Sequence, residues 1–256
     1  MKYLKTLAAL LAVSLLSFAQ AGDRITVAAA ADLKFALDEV AASFRQTHPG
    51  DEVIIAYGSS GKAMAQIQQG APFDLFFSAD IAFPRELVKA GLAAGDVKPY
   101  AIGRLVIWSL NLDAAHMTLS SLADPRIQRI AIANPKHAPY GQRAEEALKA
   151  TGMWPKIESR LVYGENISQT AQFAMTGNAQ VGLIALSLVL NPEMKGKGSY
   201  SVIPQNLHQP LEQGYVLLKN GANKPLARQF ATYMSSAQAR AIMVKYGFTL
   251  PGEAKK

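Results

Sequence analysis

Two adjacent serines between glycines, followed by a lysine, are the residues of this sequence whose types and spacing most directly suggest chemistry. Residues 57–62 read Tyr-Gly-Ser-Ser-Gly-Lys and lie between an apolar run and a helix-like stretch. Glycine lets a ligand approach the backbone, and the first N–H groups of a helix have no partner within it, so the segment is suited to binding an anion. Ser59 and Ser60 would add two neutral hydroxyl donors.

The same residues also fit an enzyme. Ser59 and Lys62 have the Ser-x-x-Lys spacing of the nucleophile and lysine in penicillin-binding enzymes, which makes a serine acyl-transferase an alternative. Those enzymes also carry Ser-Asp-Asn and Lys-Thr-Gly elements, and no such set occurs here at a workable position. The four histidines are far apart and lack metal-ligand spacing; they are His48, His116, His137 and His208. We therefore expect no catalytic residue, no metal site and no cofactor.

Three further segments repeat the arrangement of the serine segment. Residues 30–32, 134–141 and 164–168 each lie between a predicted strand or loop and the start of a predicted helix. If these helix N-termini converge, their N–H groups surround a tetrahedral anion with neutral donors, and the hydroxyl of Tyr140 joins those of the serines.

Asp32 does not fit this scheme through its side chain. A carboxylate that faces a dianion in a partly desolvated cleft is repelled by about 4 kcal/mol per pair of unit charges at 4 Å. We expect the side chain to turn away and cap its own helix, while nearby backbone N–H groups face the ligand.

The order of elements predicts the scaffold that positions these segments. Strands and helices alternate from Ile25 to Gly91, and the pattern restarts at Arg104. This indicates an α/β protein of two lobes, each a mainly parallel sheet flanked by helices, with a ligand cleft between them that permits hinge closure. We assign residues 22–103 and 214–256 to the first lobe and residues 104–213 to the second.

Within the second lobe, the pattern predicts helices over residues 142–150, 155–161 and 168–176. Two terminal helices, over residues 224–235 and 237–246, are free to return to the first lobe.

The N-terminal residues have the pattern of a secretory signal. Lys2 and Lys5 precede an apolar run from Leu7 to Phe18, and the small-x-small residues 19–21 form a cleavage site. We therefore expect residues 1–21 to be removed on export to the periplasm. Later apolar runs are too short to cross a bilayer, so we expect a soluble product.

The composition of the chain excludes some further classes of protein. The chain has no cysteines, half of its residues are hydrophobic and 18% are charged, so the fold must depend on its core. Removing the two lysines of the signal lowers the formal net charge from +7 to +5. The basic residues are scattered, which argues against a nucleic-acid partner.

Four segments resemble the periplasmic molybdate-binding proteins of ABC transporters. They are residues 25–33 (ITVAAAADL), 66–80 (QIQQGAPFDLFFSAD), 134–141 (NPKHAPYG) and 245–248 (KYGF). The resemblance implies a type II periplasmic binding-protein fold that captures molybdate, usually tungstate as well. It further implies that the protein delivers the anion to a permease in the inner membrane. We also expect the protein to be a monomer.

The resemblance also implies site residues, position by position. The serine of the family's first loop matches Asp32, so this position lacks the serine hydroxyl. The backbone N–H of Ala31 or Asp32 is then the expected donor from the first loop. The second-loop serine matches Ser60, beside Ser59, and the third and fourth loops match Tyr140 and the backbone of Ile167.

Many family members have a tyrosine near the anion where this chain has Ala185, and we expect the hydroxyl of Tyr140 to replace it. Neutral donors suit a fully deprotonated oxyanion, whereas a phosphate site benefits from an acceptor for the remaining proton. A sulfate- or phosphate-binding protein is the alternative within this class.

Overall fold

The computed structural model describes residues 22–253, so the predicted signal segment lies outside the described residues. Its helices and strands form two α/β lobes, each built on one five-stranded sheet. No helix within residues 22–253 is both long enough and apolar enough to cross a membrane. The predicted two-lobed architecture is confirmed.

The first lobe contains the sheet with strand order β2-β1-β3-β10-β4. Its strands are β1 (Arg24–Ala30), β2 (Glu52–Gly58), β3 (Leu75–Ser78), β4 (Lys98–Gly103) and β10 (Leu211–Leu217). Its helices are α1 (Lys34–Arg45), α2 (Ser60–Gln68), α3 (Ala82–Lys89), α8 (Pro225–Tyr233) and α9 (Ala237–Lys245).

The second lobe contains the sheet with strand order β7-β6-β8-β5-β9. Its strands are β5 (Leu105–Ser109), β6 (Ile130–Ala133), β7 (Leu161–Gly164), β8 (Val181–Ala185) and β9 (Ser199–Val202). Its helices are α4 (Pro139–Ala150), α5 (Trp154–Ile157), α6 (Ile167–Met175) and α7 (Leu186–Val189).

Both sheets are mixed rather than mainly parallel, which corrects the sequence-based prediction. β1 pairs in parallel with β2 and β3, and β6 pairs in parallel with β7 and β8. β10 and β5 are antiparallel to their neighbours. These two strands enter their sheets directly from the other lobe. They have no crossover helix before them that would impose a parallel direction.

Burial on both faces of the sheets explains the apolar strands. All four residues of β3 are buried, because helices cover both faces of the sheet. α1 buries one face at helical spacing, through Ala36, Leu37, Val40, Ala41 and Phe44. The ring of Phe44 meets that of Phe230 edge to face, with centroids 5.2 Å apart. The C-terminal helices therefore pack on the first lobe, as expected.

Two parts of the second lobe differ from the sequence-based expectation. The helix predicted over residues 155–161 is the single α-helical turn α5 followed by the 3-10 turn Glu158–Arg160, and strand β7 begins at Leu161. β7 is an edge strand with partly exposed side chains, so it has no continuous apolar run to mark it. The sequence puts the return crossing at residue 213, whereas β10 begins at Leu211, and we place the lobe boundary before that strand.

Candidate oxyanion-binding site

The predicted loops meet at a small cavity between the lobes. Its lining residues are Ala30, Ala31, Asp32, Gly58, Ser59, Ser60, Ala79, Ala138, Pro139, Tyr140 and Ile167. All six candidate site residues therefore line one space, with contributions from both lobes. The cavity encloses about 10 Å³, close to the space that one water needs, so the two lobes lie against each other here.

Larger cavities lie elsewhere on the surface. One of about 570 Å³ is lined by side chains of β4, β10, α8 and α9, on the side of the first lobe formed by the C-terminal helices. The helix N-termini that predict anion binding do not open into it. We therefore take the small cavity between the lobes as the candidate site, because convergent donors rather than volume define a site for a small anion.

The two serines have different partners. Ser60 is the first residue of α2, and its Oγ accepts a hydrogen bond of 3.0 Å from the backbone N–H of Ala79. Because Oγ accepts this bond, the hydrogen of the Ser60 hydroxyl remains for donation to a ligand. The Oγ of Ser59 lies 2.9 Å from Nδ1 of His137 in the other lobe. Ser60 is thus the better placed donor.

Asp32 lies in the cavity wall with its side chain buried, and the prediction that it caps its helix is wrong. It sits inside the 3-10 turn Ala31–Leu33, without a side-chain cap to this turn or to α1. Its Oδ2 instead accepts hydrogen bonds from Tyr140 Oη at 3.1 Å and from Gln213 Nε2 at 2.7 Å. Burial raises the pKa of Asp32 to about 6, although these two hydrogen bonds act to lower it.

Tyr140 is buried and donates its hydroxyl hydrogen to Asp32. The expectation that this hydroxyl donates to the anion in place of the tyrosine missing at Ala185 is therefore not what the structure shows. The space around Tyr140 Oη depends on Gly103, since a Cβ there would overlap this oxygen and approach Gln213 Nε2 to 2.7 Å. Burial and the charge of Asp32 raise the pKa of Tyr140 well above its ordinary value.

Two functional residues were missed in the sequence. Gln213 is fully buried in β10, donates to Asp32, and accepts a hydrogen bond of 2.7 Å from Tyr100 Oη. Gln213 and Tyr100 thereby extend the polar cluster around Asp32 into the strands at which the chain crosses between lobes. The local sequence around Gln213, Leu-Glu-Gln-Gly-Tyr, gave little signal, because the exposed Glu212 beside it makes the glutamine read as a second solvent-facing polar residue.

The backbone candidates lie at helix starts. Ile167 is the first residue of α6, where the helix leaves the N–H without a partner of its own, and Asn166 caps the helix by accepting from Gln169 N at 3.0 Å. On the opposite lobe, the carbonyl of Ala31 accepts from Ser168 Oγ at 2.8 Å. This bond joins the lobes beside the cavity.

The rim of the cleft carries charged pairs between the lobes. Lys62 of α2 forms an ion pair with Glu165 of the opposite lobe, and Asp80 pairs with Arg143 at 2.7 Å. Next to them, the N–H of Gly61 donates to the carbonyl of His137 at 2.9 Å. Because Lys62 pairs with Glu165 and Ser59 contacts a histidine, the two residues do not form a nucleophile and base pair.

Two α/β lobes joined by two crossings, with a small polar cavity between them, define a two-lobed ligand-binding protein. The profile of the family described as bacterial extracellular solute-binding protein matches residues 25–249. The chain therefore belongs to this family, which confirms the resemblance stated above at the level of the family.

Individual relatives agree with the assignment. The chain is 38% identical over 235 residues to the molybdate-binding protein ModA of Rhodobacter capsulatus, a match that covers 91% of each chain. Its structure is similar to that of the periplasmic molybdate-binding protein of Azotobacter vinelandii, with a TM-score of 0.83 and 34% identity. That match covers 89% of this chain and 99% of the other.

The fold by itself does not select the anion. The sulfate-binding protein SubI of Mycobacterium tuberculosis is also similar, with a TM-score of 0.74 and 17% identity, and the match covers 91% of this chain and 88% of that one. The choice of ligand must therefore come from the residues at the cavity.

Proposed function

We propose that this chain is a periplasmic solute-binding protein that captures molybdate, and also tungstate, for an ABC importer. The observation that carries the proposal is the cavity between the lobes, in which helix N-termini from both lobes and the hydroxyl of Ser60 present neutral donors. Such donors bind a fully deprotonated oxyanion without placing a fixed positive charge beside it. The similarity to molybdate-binding proteins supports the same ligand.

The donors fall into three groups. Ser60 donates its hydroxyl, Ala31 or Asp32 donates a backbone N–H group from the first lobe, and Ile167 donates its N–H from the second. Ser59 holds His137 across the cleft, and Tyr140 orients Asp32. The protein acts as a monomer without a cofactor, and its partners are the oxyanion and the permease in the inner membrane.

Catalysis is not part of the proposal. The structure pairs Lys62 with Glu165, so the lysine is not poised to deprotonate Ser59. A fluorophosphonate probe should give no adduct at Ser59, and a stoichiometric adduct there would support the acyl-transferase alternative.

One observation favours a second candidate, monohydrogen phosphate. The buried carboxylate of Asp32 is an acceptor in the cavity wall, and a protonated oxyanion could donate its own hydrogen to it. Sulfate carries no proton at neutral pH and gains nothing from this acceptor.

Calorimetric titration of the mature chain, residues 22–256, separates these candidates. Molybdate and tungstate should each bind at one tight site, with sulfate and phosphate at least a hundredfold weaker. Equal affinity for all four anions, or a preference for phosphate, would contradict the proposed ligand.

A further inference from the structure

The Asp32 carboxyl is buried in the cavity wall without a cationic partner. Its neighbours are Tyr140 from α4 and Gln213 from β10, and Gln213 in turn contacts Tyr100 from β4. All three side chains are neutral. From α7, the Ser187 hydroxyl donates at 2.8 Å to the backbone carbonyl of Asp32 rather than to its carboxyl. Lysine, arginine and histidine side chains within residues 22–253 make no hydrogen bond or ion pair with it.

The two carboxyl oxygens of Asp32 are not equivalent. Oδ2 accepts from both Tyr140 and Gln213, whereas Oδ1 is buried and has no hydrogen-bond partner within the described part of the chain. A buried acceptor left without a partner is uncommon and calls for a missing ligand or a missing proton. Oδ1 is thus the oxygen that is available to bind a proton and to contact a ligand.

A charged Asp32 and a bound dianion are poorly compatible. At 4 Å and the effective dielectric of a protein site, each unit of ligand charge would weaken binding on the order of a thousandfold. Protonating a carboxyl whose pKa is about 6 lowers the affinity only about tenfold at pH 7. Protonating Asp32 therefore costs far less affinity than binding the dianion beside a charged Asp32.

We propose that Asp32 takes up one proton from solvent on Oδ1 when the oxyanion enters, and that the resulting carboxylic acid donates a hydrogen bond to the anion. This inference rests on the proposed function. An apolar, buried site is known to keep a carboxylic acid neutral near pH 7 so that it donates to an oxyanion. Asp32 then supplies the hydroxyl that the serine of the family's first loop would supply, with binding linked to one proton.

The proton also distinguishes the ligands. Molybdate, tungstate and sulfate bring no proton and require uptake from solvent. Monohydrogen phosphate brings its own proton, which Oδ1 of a charged Asp32 accepts, so its binding requires no uptake.

The test measures how many protons the mature chain takes up when it binds molybdate. Molybdate is titrated calorimetrically at pH 7.5 in two buffers of different ionisation enthalpy, and the affinity is then measured from pH 6.5 to 8.5. We expect uptake of about one proton per anion and about a tenfold loss of affinity per pH unit. The D32N variant should take up no proton, show a flat pH profile and bind about thirtyfold more tightly at pH 7.5.

His137 provides the matched control, because it is another titratable side chain beside the cavity and lies at the rim against Ser59 and Glu165. Burial lowers the pKa of its imidazole from the ordinary value. H137N should still take up one proton. Uptake lost in H137N but kept in D32N would overturn the inference.

The remaining outcomes are equally decisive. Tight molybdate binding without proton uptake by the unmodified chain would overturn the role of Asp32 and leave the proposed function intact. A folded D32N variant that does not bind molybdate would likewise contradict it. Absence of molybdate binding by the unmodified chain would instead contradict the proposed function itself.

Discussion

The floor and the rim of the cleft differ in how they use charge. The floor, around Ser60, Tyr140 and Gln213, presents neutral donors and one buried carboxyl, Asp32. The rim carries ion pairs between the lobes, Lys62 with Glu165 and Asp80 with Arg143. Charges thus neutralise one another where the lobes meet. Neutral dipoles remain at the floor, so we propose that the floor determines which anion binds and that the rim stabilises closure.

The rim itself is not uniform. The side chains of Arg143 and Asp80 are 11% and 17% exposed, whereas those of Lys62 and Glu165 are 56% and 44% exposed. An exposed pair contributes about 0 to 1 kcal/mol, but removing one partner of a buried pair leaves a desolvated charge. The Asp80 and Arg143 pair should therefore dominate closure.

The largest expected effect tests this difference within the rim. Replacing Arg143 by methionine leaves Asp80 without its cation in the closed state and should weaken molybdate binding by about 3 kcal/mol, measured calorimetrically. The matched control, Lys62→Met, should cost at most about 0.5 kcal/mol. Equal losses in the two variants would show that burial does not distinguish the two pairs.

The next effect concerns the buried carboxyl of the floor and the stability of the ligand-free protein. The pKa of Asp32 is 3.8 when unfolded and about 6 when folded, so the folded state binds more protons and stability falls as the pH rises between these values. Above pH 6 the full penalty, about 3 kcal/mol, persists.

Asp32→Asn should therefore raise the free energy of unfolding by about this amount at pH 7.5 and leave it nearly unchanged at pH 3.5. Urea unfolding at the two pH values measures both. A stabilisation of the same size at both pH values would show that the carboxyl is not perturbed by burial.

Ser60→Ala tests the floor as the source of affinity. Loss of one hydrogen bond to a charged ligand should weaken molybdate binding by about 1.5 to 3 kcal/mol. The variant also leaves the N–H of Ala79 without its acceptor, so its unfolding free energy must be measured alongside the affinity. Unchanged affinity in a folded variant would remove Ser60 from the donor set.

Ser59→Ala compares the two serines directly. If Ser59 acts by holding His137, its removal should cost about 1 kcal/mol in affinity, and the loss should largely disappear in an H137N background. A double-mutant cycle measures this coupling. Additive losses would indicate instead that Ser59 donates to the anion alongside Ser60.

Tyr140→Phe should have the smallest effect on affinity, below about 1 kcal/mol at pH 7.5. Its hydroxyl donates to Asp32, and this hydrogen bond lowers the pKa of that carboxyl, so its loss should raise the pKa further. An NMR titration of the Asp32 carboxyl measures the shift. A loss of affinity as large as that of Ser60→Ala would show that Tyr140 donates to the anion after all.

The sequence predicts the parts of the site that depend on local pattern. The pattern of residues 57–62 predicts a helix start that carries hydrogen-bond donors. The alternation of strands and helices brings several such helix starts to the same edges of the sheets. Ser60 and the segments 30–32 and 164–168 were found in this way, and the family resemblance then singled out Ala31 and Ile167 within those segments. All three residues line the cavity.

The parts that were missed depend on pairings between distant segments. Gln213 meets Asp32 across 181 residues, and Tyr140 meets it across 108 residues. Nothing in the local pattern around Asp32 indicates that its carboxyl leaves the helix start for these partners. A preference for capping is a local tendency, and tertiary hydrogen bonds in a buried site override it.

A crystal structure of residues 22–256 grown with molybdate tests most directly whether neutral donors at the floor bind the anion. We predict one anion in the cavity between the lobes, with its oxygens 2.7–3.2 Å from Ser60 Oγ and from the backbone N–H groups of Ile167 and of Ala31 or Asp32. An anion held by the lysines or arginines of the rim, or a cavity left empty at saturating molybdate, would contradict this assignment.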